Sequence, residues 1–105
     1  MAGHHQLTPQ SRAVVQALFP AKDFPHVEAM LLNECGAVQV HSPDLPASAI
    51  ERIRLAALKC SGGDYDLLEN AVLLAQTDWR DLLMAAGFGD NVDAHREWAA
   101  MLATT

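Results

Sequence analysis

Residues 64–86 read DYDLLENAVLLAQTDWRDLLMAA, and the spacing of the apolar side chains in this stretch decides the fold class. Apolar residues recur at intervals of three and four, which is the period of an α-helix. Asp64 and the pair Thr77-Asp78 carry side chains that cap helix N-termini. We therefore predict two linked helices, Asp64–Gln76 and Asp78–Ala86, with a bend or short break between them; one continuous helix is the alternative.

The first of these two helices carries apolar side chains around much of its circumference. A helix that is apolar on most sides is usually buried, so we expect this one to be the central element of the core. Its apolar residues are Leu67, Leu68, Ala71, Val72, Leu73, Leu74 and Ala75.

The residues after this stretch predict a helix end and one further helix. Gly87 and Phe88 fit a Schellman motif, in which glycine takes the left-handed position and an apolar side chain folds back onto the last turn. A final helix is predicted over Val92–Leu102, where one side would carry Val92, His95, Trp98 (or Ala99) and Leu102.

The residues before Asp64 predict another helix, the third in chain order, which ends at Gly62-Gly63. Ser48 and Glu51 have the spacing of a capping box, in which each side chain would bond a backbone N–H at the start of the helix. This helix is expected to run to about Lys59. The segment Ala37–Pro46 is predicted to be a loop.

Two more helices are predicted near the N-terminus. The first begins at Thr8-Pro9 and is stopped by Pro20. The second begins near Pro25 and ends at Gly36 as its left-handed closing residue. With residues 1–7 expected to be disordered, residues 1–105 are predicted to form a single all-α domain, a bundle of about five to six short helices.

The composition excludes several classes of protein. Half of the 105 residues are hydrophobic and 19% are charged, which argues against disorder. The longest apolar run is far shorter than a membrane span, and no signal peptide is recognisable, so we expect a cytoplasmic protein without a membrane partner. Cys35 and Cys60 form no metal or disulfide motif, and Cys35 is interpreted as a buried, inert thiol.

The net charge of −6 is unevenly distributed along the chain. Residues 1–63 carry five acidic and five basic side chains, whereas residues 64–105 carry eight acidic and two basic ones. An acidic surface repels phosphate backbones, so no nucleic acid partner is expected. The asymmetry alone would also suit an acidic mimic that occupies a nucleic-acid-binding protein.

The tripeptide Trp79-Arg80-Asp81 is the leading candidate for function. Tryptophan and arginine are the residues most enriched at interface hot spots. We therefore predict a non-enzymatic protein that acts through protein contacts, either with a partner protein or by forming a homodimer, and needs no cofactor. Trp79, Arg80, Asp81, His95 and Trp98 are the predicted contact residues. The competing interpretation is that Trp79 is a core side chain and His95 is a satisfied histidine at the edge of the core.

A metal- or small-molecule-binding domain, with or without enzymatic activity, is the alternative hypothesis. Its candidate ligands are the imidazole of His95 and nearby carboxylates, chiefly Asp81 and Asp93, because hard cations need several oxygen ligands. The chain has no Glu-x-x-His motif of the kind that di-metal helical bundles use. Asp93 is also explained as an N-terminal residue of a helix, whose dipole favours negative charge.

Two segments resemble parts of short, uncharacterised bacterial proteins of helical fold. They are residues 54–64, RLAALKCSGGD, and residues 78–88, DWRDLLMAAGF, within a resemblance that runs from Ile50 to Trp98. The resemblance implies a bacterial, cytoplasmic helical protein. It contains no catalytic motif and therefore implies no activity.

Overall fold

Five α-helices and a short 3₁₀ turn make up residues 7–103, the part of the chain that the computed structural model describes. The predicted all-α bundle of about five to six helices is confirmed. Within these residues no helix is both long and apolar enough to cross a membrane. The elements are α1 (Pro9–Leu18), the 3₁₀ turn (Ala21–Asp23), α2 (Phe24–Glu34), α3 (Ala47–Ser61), α4 (Tyr65–Ala85) and α5 (Ala94–Ala103).

The most buried helix is α3, which packs against α1, α4 and α5. Its four consecutive residues 55–58 are all 0% exposed, so they are covered on every side of the helix. The prediction that residues 64–76 form the central helix is wrong, because Leu67 and Leu73 on α4 are 49% and 58% exposed. α4 packs against α3, and its large exposed apolar side chains are Leu67, Leu73 and Met84.

Helix α4 is broken at Asp78, where the sequence predicted a bend or short break. Asp78 has φ −159° and ψ 96°, which is extended backbone inside an otherwise helical run. Its carboxylate accepts a hydrogen bond from the backbone N–H of Arg80 at 3.1 Å and so begins a second helical segment. The first segment starts at Asp64, whose carboxylate accepts from the N–H of Leu67.

Two other predicted helix ends are confirmed. The Thr8 hydroxyl accepts a hydrogen bond from the N–H of Ser11 at 3.0 Å and caps α1. At the end of α4, Gly87 has φ 80°, and the N–H of Phe88 donates to the carbonyl of Leu83 at 2.8 Å. This is the Schellman pattern that the glycine and phenylalanine predicted.

The predicted capping box at the start of α3 is wrong. Pro46 occupies the N-cap position, and it has no side-chain oxygen to offer. The Glu51 carboxylate instead accepts hydrogen bonds from the Thr8 hydroxyl at 2.6 Å and the Ser11 hydroxyl at 2.7 Å. Glu51 therefore ties α1 to α3 instead of closing its own helix.

The predicted end of α2 is also wrong. The helix ends at Glu34, and Cys35 leaves the helical region with φ −130°. Gly36 is buried and its φ is not positive, so it is not a left-handed closing residue. The carbonyl of Glu34 is capped instead by the Gln76 side-chain amide of α4, at 2.7 Å.

Two predictions at the chain ends need correction. Val92 was expected on the buried side of the last helix, but it is 69% exposed, and α5 begins after it at Ala94. The Asn91 side chain accepts from the N–H of Asp93 and turns the chain before the helix starts. Leu7 is 5% exposed in the core and thus not disordered, whereas residues 1–6 lie outside the described residues.

Candidate functional site

The predicted contact residues Trp79 and Arg80 lie where α4 meets the loop between α2 and α3. The half-buried Trp79 indole donates a hydrogen bond from Nε1 to the Ser42 hydroxyl at 3.1 Å. Arg80 is exposed, and its guanidinium carbon lies 4.7 Å from the centre of the Trp79 ring, in cation–π contact. Asp81 next to them is exposed.

The loop that Trp79 contacts, residues 36–46, is held in shape by its own turns. Backbone hydrogen bonds join Val40 to Gly36, Ser42 to Ala37, and Leu45 to Ser42, at 2.9–3.0 Å. Because Ser42 takes part in two of these turns and also accepts from Trp79, the indole fixes the loop at its centre.

This loop forms one wall of an open groove, which we call the loop groove. The end of α2 forms the other wall, and the first turns of α3 form the floor; the volume is about 730 Å³. That volume lies within the range of ligand pockets, roughly 300–1,000 Å³. Its apolar lining includes Leu32, Leu45 and Ile50, and Val38 on the loop is 69% exposed.

Arg54 is the cation among the residues that line the loop groove. Its Nε donates to the carbonyl of Cys35 at 3.1 Å. Its two terminal nitrogens have no hydrogen-bond acceptor among residues 7–103. Burial lowers the pKa of its guanidinium below the ordinary value, partly opposed by Cys35 and Glu51. Burial also raises the pKa of the Cys35 thiol to about 12, which fits the interpretation of that cysteine as inert.

Sequence reasoning missed Arg54 as a candidate site residue. The signal was its position four residues after Ile50 and four before Leu58, in a row of otherwise apolar side chains along α3. A cation in such a row is bound to be partly buried, and partial burial makes it a candidate for binding an anion.

His95 and Trp98 contact a different part of the molecule. Their rings lie 6.2 Å and 6.1 Å from the ring of Phe88, in the aromatic cluster that α5 completes. His95 is 3% exposed and offers almost no surface to a partner, whereas Trp98 is half-buried. The predicted contact residues thus fall into two groups, with Trp79 and Arg80 at the loop and His95 and Trp98 around Phe88.

The His95 imidazole is held in surroundings that disfavour its charged form. Burial is the main cause of a lowered pKa, and the cations Arg96 and Arg52 add to it, while Glu51 and Asp93 oppose it. Its Nδ1 is buried without a hydrogen-bond partner in the described part of the chain.

We therefore expect the free energy of unfolding to fall as the pH drops below about 6.5, the ordinary histidine pKa. Because the folded pKa is lowered, the unfolded chain binds the proton at a higher pH than the folded one does. The slope for this one group is at most about 1.4 kcal/mol per pH unit. Urea unfolding at pH 7.5 and pH 5.5 measures it; a His95→Gln variant that shows the same slope as the wild type contradicts the assignment.

The carboxylates of the alternative hypothesis do not gather around His95. Asp93 pairs with Arg96 at 3.4 Å on the surface, and Asp81 is exposed on α4. Among residues 7–103, no three His, Cys, Asp or Glu side chains are placed to hold a metal ion.

Comparison with known proteins gave no match to a protein-family model, a curated protein or a solved structure.

Proposed function

We propose that the protein acts by binding a segment of another protein in the loop groove, without catalysis. The observation that carries the proposal is the hydrogen bond from Trp79 to Ser42. This bond supports the proposal because it joins Trp79, which carries Arg80 on its ring, to the loop that forms the groove wall. The protein is proposed to act in the cytoplasm, the compartment that the sequence predicts.

The shape of the groove favours a protein segment over an enclosed small molecule. Small-molecule sites usually bury most of the ligand surface, but the loop groove is open to solvent. Val38 holds an apolar side chain 69% exposed at this opening. Trp79 contacts the same loop through Ser42 and carries Arg80 on its ring, outside the groove lining. Exposed apolar, tryptophan and arginine side chains are typical of protein contact surfaces.

Selection from a random dodecapeptide library on the immobilised protein tests the proposal. We expect peptides whose affinity falls about 10-fold in a Val38→Asn variant, because the substitution removes an apolar contact of about 1.5 kcal/mol. Val92→Asn is the matched control, since Val92 is equally exposed and lies outside the groove lining. Affinities are measured by isothermal titration calorimetry.

A library that yields no binders, or binders equally affected by both variants, overturns the proposal. If the partner is a second copy of this chain, the sedimentation coefficient of the wild type is expected to rise with protein concentration. Val38→Asn is expected to abolish that rise. Self-association that persists in Val38→Asn contradicts this homodimer form of the proposal.

A further inference from the structure

The chemistry inside the loop groove restricts what it can bind, provided that the proposed function holds. The lining combines apolar side chains, among them Leu32 and Leu45, with the Arg54 guanidinium. A bound segment that displaces water from the Arg54 guanidinium without offering a hydrogen-bond acceptor would leave a cation desolvated and unpaired. Binding of such a segment would cost much free energy. A matching occupant therefore brings an acceptor to Arg54.

The terminal nitrogens of Arg54 are placed to receive such a group. The Nε bond to Cys35 fixes the plane of the guanidinium and leaves the terminal nitrogens without an acceptor among residues 7–103. They border Gly36, where an added Cβ would lie 3.8 Å from Nη2 and 2.7 Å from the Gln39 amide oxygen. The absence of a side chain at Gly36 thus lets the Gln39 amide lie close to this backbone, on the same side as the guanidinium.

We infer that the loop groove binds a peptide segment in which an acidic side chain stands beside an apolar residue. A carboxylate is the group that matches a planar guanidinium, because it can accept two parallel hydrogen bonds. The apolar neighbour packs on Leu32, Leu45 and Ile50. One carboxylate is favoured over two, since Glu51 already places a negative charge in the groove.

Both carboxylate oxygens of Glu51 already accept hydrogen bonds within the protein. Arg54 is therefore the charged group of the loop groove that is left to bind a ligand carboxylate. The Thr8 and Ser11 hydroxyls each donate to one oxygen, at 2.6 Å and 2.7 Å. Glu51 is therefore held on the side of α1, and a ligand carboxylate meets Arg54 without displacing an existing partner.

Peptides selected on the wild-type protein are resynthesised with the acidic residue replaced by its amide, Asp by Asn or Glu by Gln. We expect the amide form to bind the wild type roughly 10-fold or more weakly, as for the loss of a charge-assisted hydrogen bond. An Arg54→Gln variant is expected to bind both forms equally. Arg96→Gln, which changes an exposed arginine outside the groove, is expected to keep the preference.

Each outcome separates this inference from the proposed function. Peptides that depend on Val38 but bind equally well as acid and amide overturn the acidic requirement and leave the proposed function standing. Retention of the preference by Arg54→Gln overturns the role of that residue. If Arg54→Gln does not fold, the acid-to-amide comparison on the wild type, repeated with Arg54→Lys, decides the matter.

Discussion

Replacing Phe88 with alanine is expected to lower the free energy of unfolding by about 3–5 kcal/mol. The Phe88 ring is 1% exposed and contacts the rings of His95 and Trp98, with the Lys59 ammonium 5.0 Å from its centre. Alanine leaves a cavity that the helices on either side cannot close without moving. Since small proteins are stable by only about 5–15 kcal/mol, the variant is expected to be close to unfolding.

Urea unfolding followed by circular dichroism measures this loss, and Phe88→Leu is the matched control. Leucine retains most of the apolar volume, so its loss is expected to be less than half that of alanine. A loss below about 1.5 kcal/mol for Phe88→Ala contradicts the description of this ring as a core anchor.

Gly63→Ala is expected to destabilise the protein by about 3–4 kcal/mol, the second large effect. Gly63 has φ 92°, and a Cβ added there would lie 2.4 Å from the carbonyl oxygen of Leu18. That oxygen belongs to the backbone at the end of α1, so the clash can be relieved only by moving α1 away from the turn after α3.

The adjacent Gly62 supplies the control for this prediction. Gly62 has φ 57°, and an added Cβ would meet nothing within 4 Å. Gly62→Ala therefore carries the left-handed backbone penalty alone, about 1–2 kcal/mol. Equal losses for the two variants, measured by the same urea unfolding, would show that close approach of α1 is not the cause.

The helices and several of their ends were predictable because the interactions that form them are local. Asp64 and Thr8 bond N–H groups three residues away, and the Gly87-Phe88 motif closes within six residues. Glu51 shows the limit of this approach. Its spacing from Ser48 was correct for a capping box, but its partners are Thr8 and Ser11, which are far away in the sequence.

Burial was harder to predict than helix formation. Eight of residues 64–76 are apolar, and nine of the 15 residues of α3 are apolar, so composition does not distinguish the two helices. Even so, α3 is the covered helix. Ala56 and Ala57 let neighbouring helices approach α3 closely, and that packing depends on α1, α4 and α5 together.

The candidate site was predictable only in part, for the same reason. Trp79 and Arg80 stood out by residue type, whereas the loop groove depends on three segments meeting: the end of α2, the loop 36–46 and the start of α3. The importance of Arg54 follows from that meeting and from its bond to Cys35.

The break at Asp78 has a consequence for the dimensions of the molecule. α4 contains 21 residues, which as one straight helix would extend about 32 Å at ~1.5 Å per residue. The longest dimension of the described chain is itself 32 Å. A straight rod would therefore run from one edge of the protein to the other, whereas the bent helix returns Leu82 and Leu83 to the interior, where they are 0% and 5% exposed.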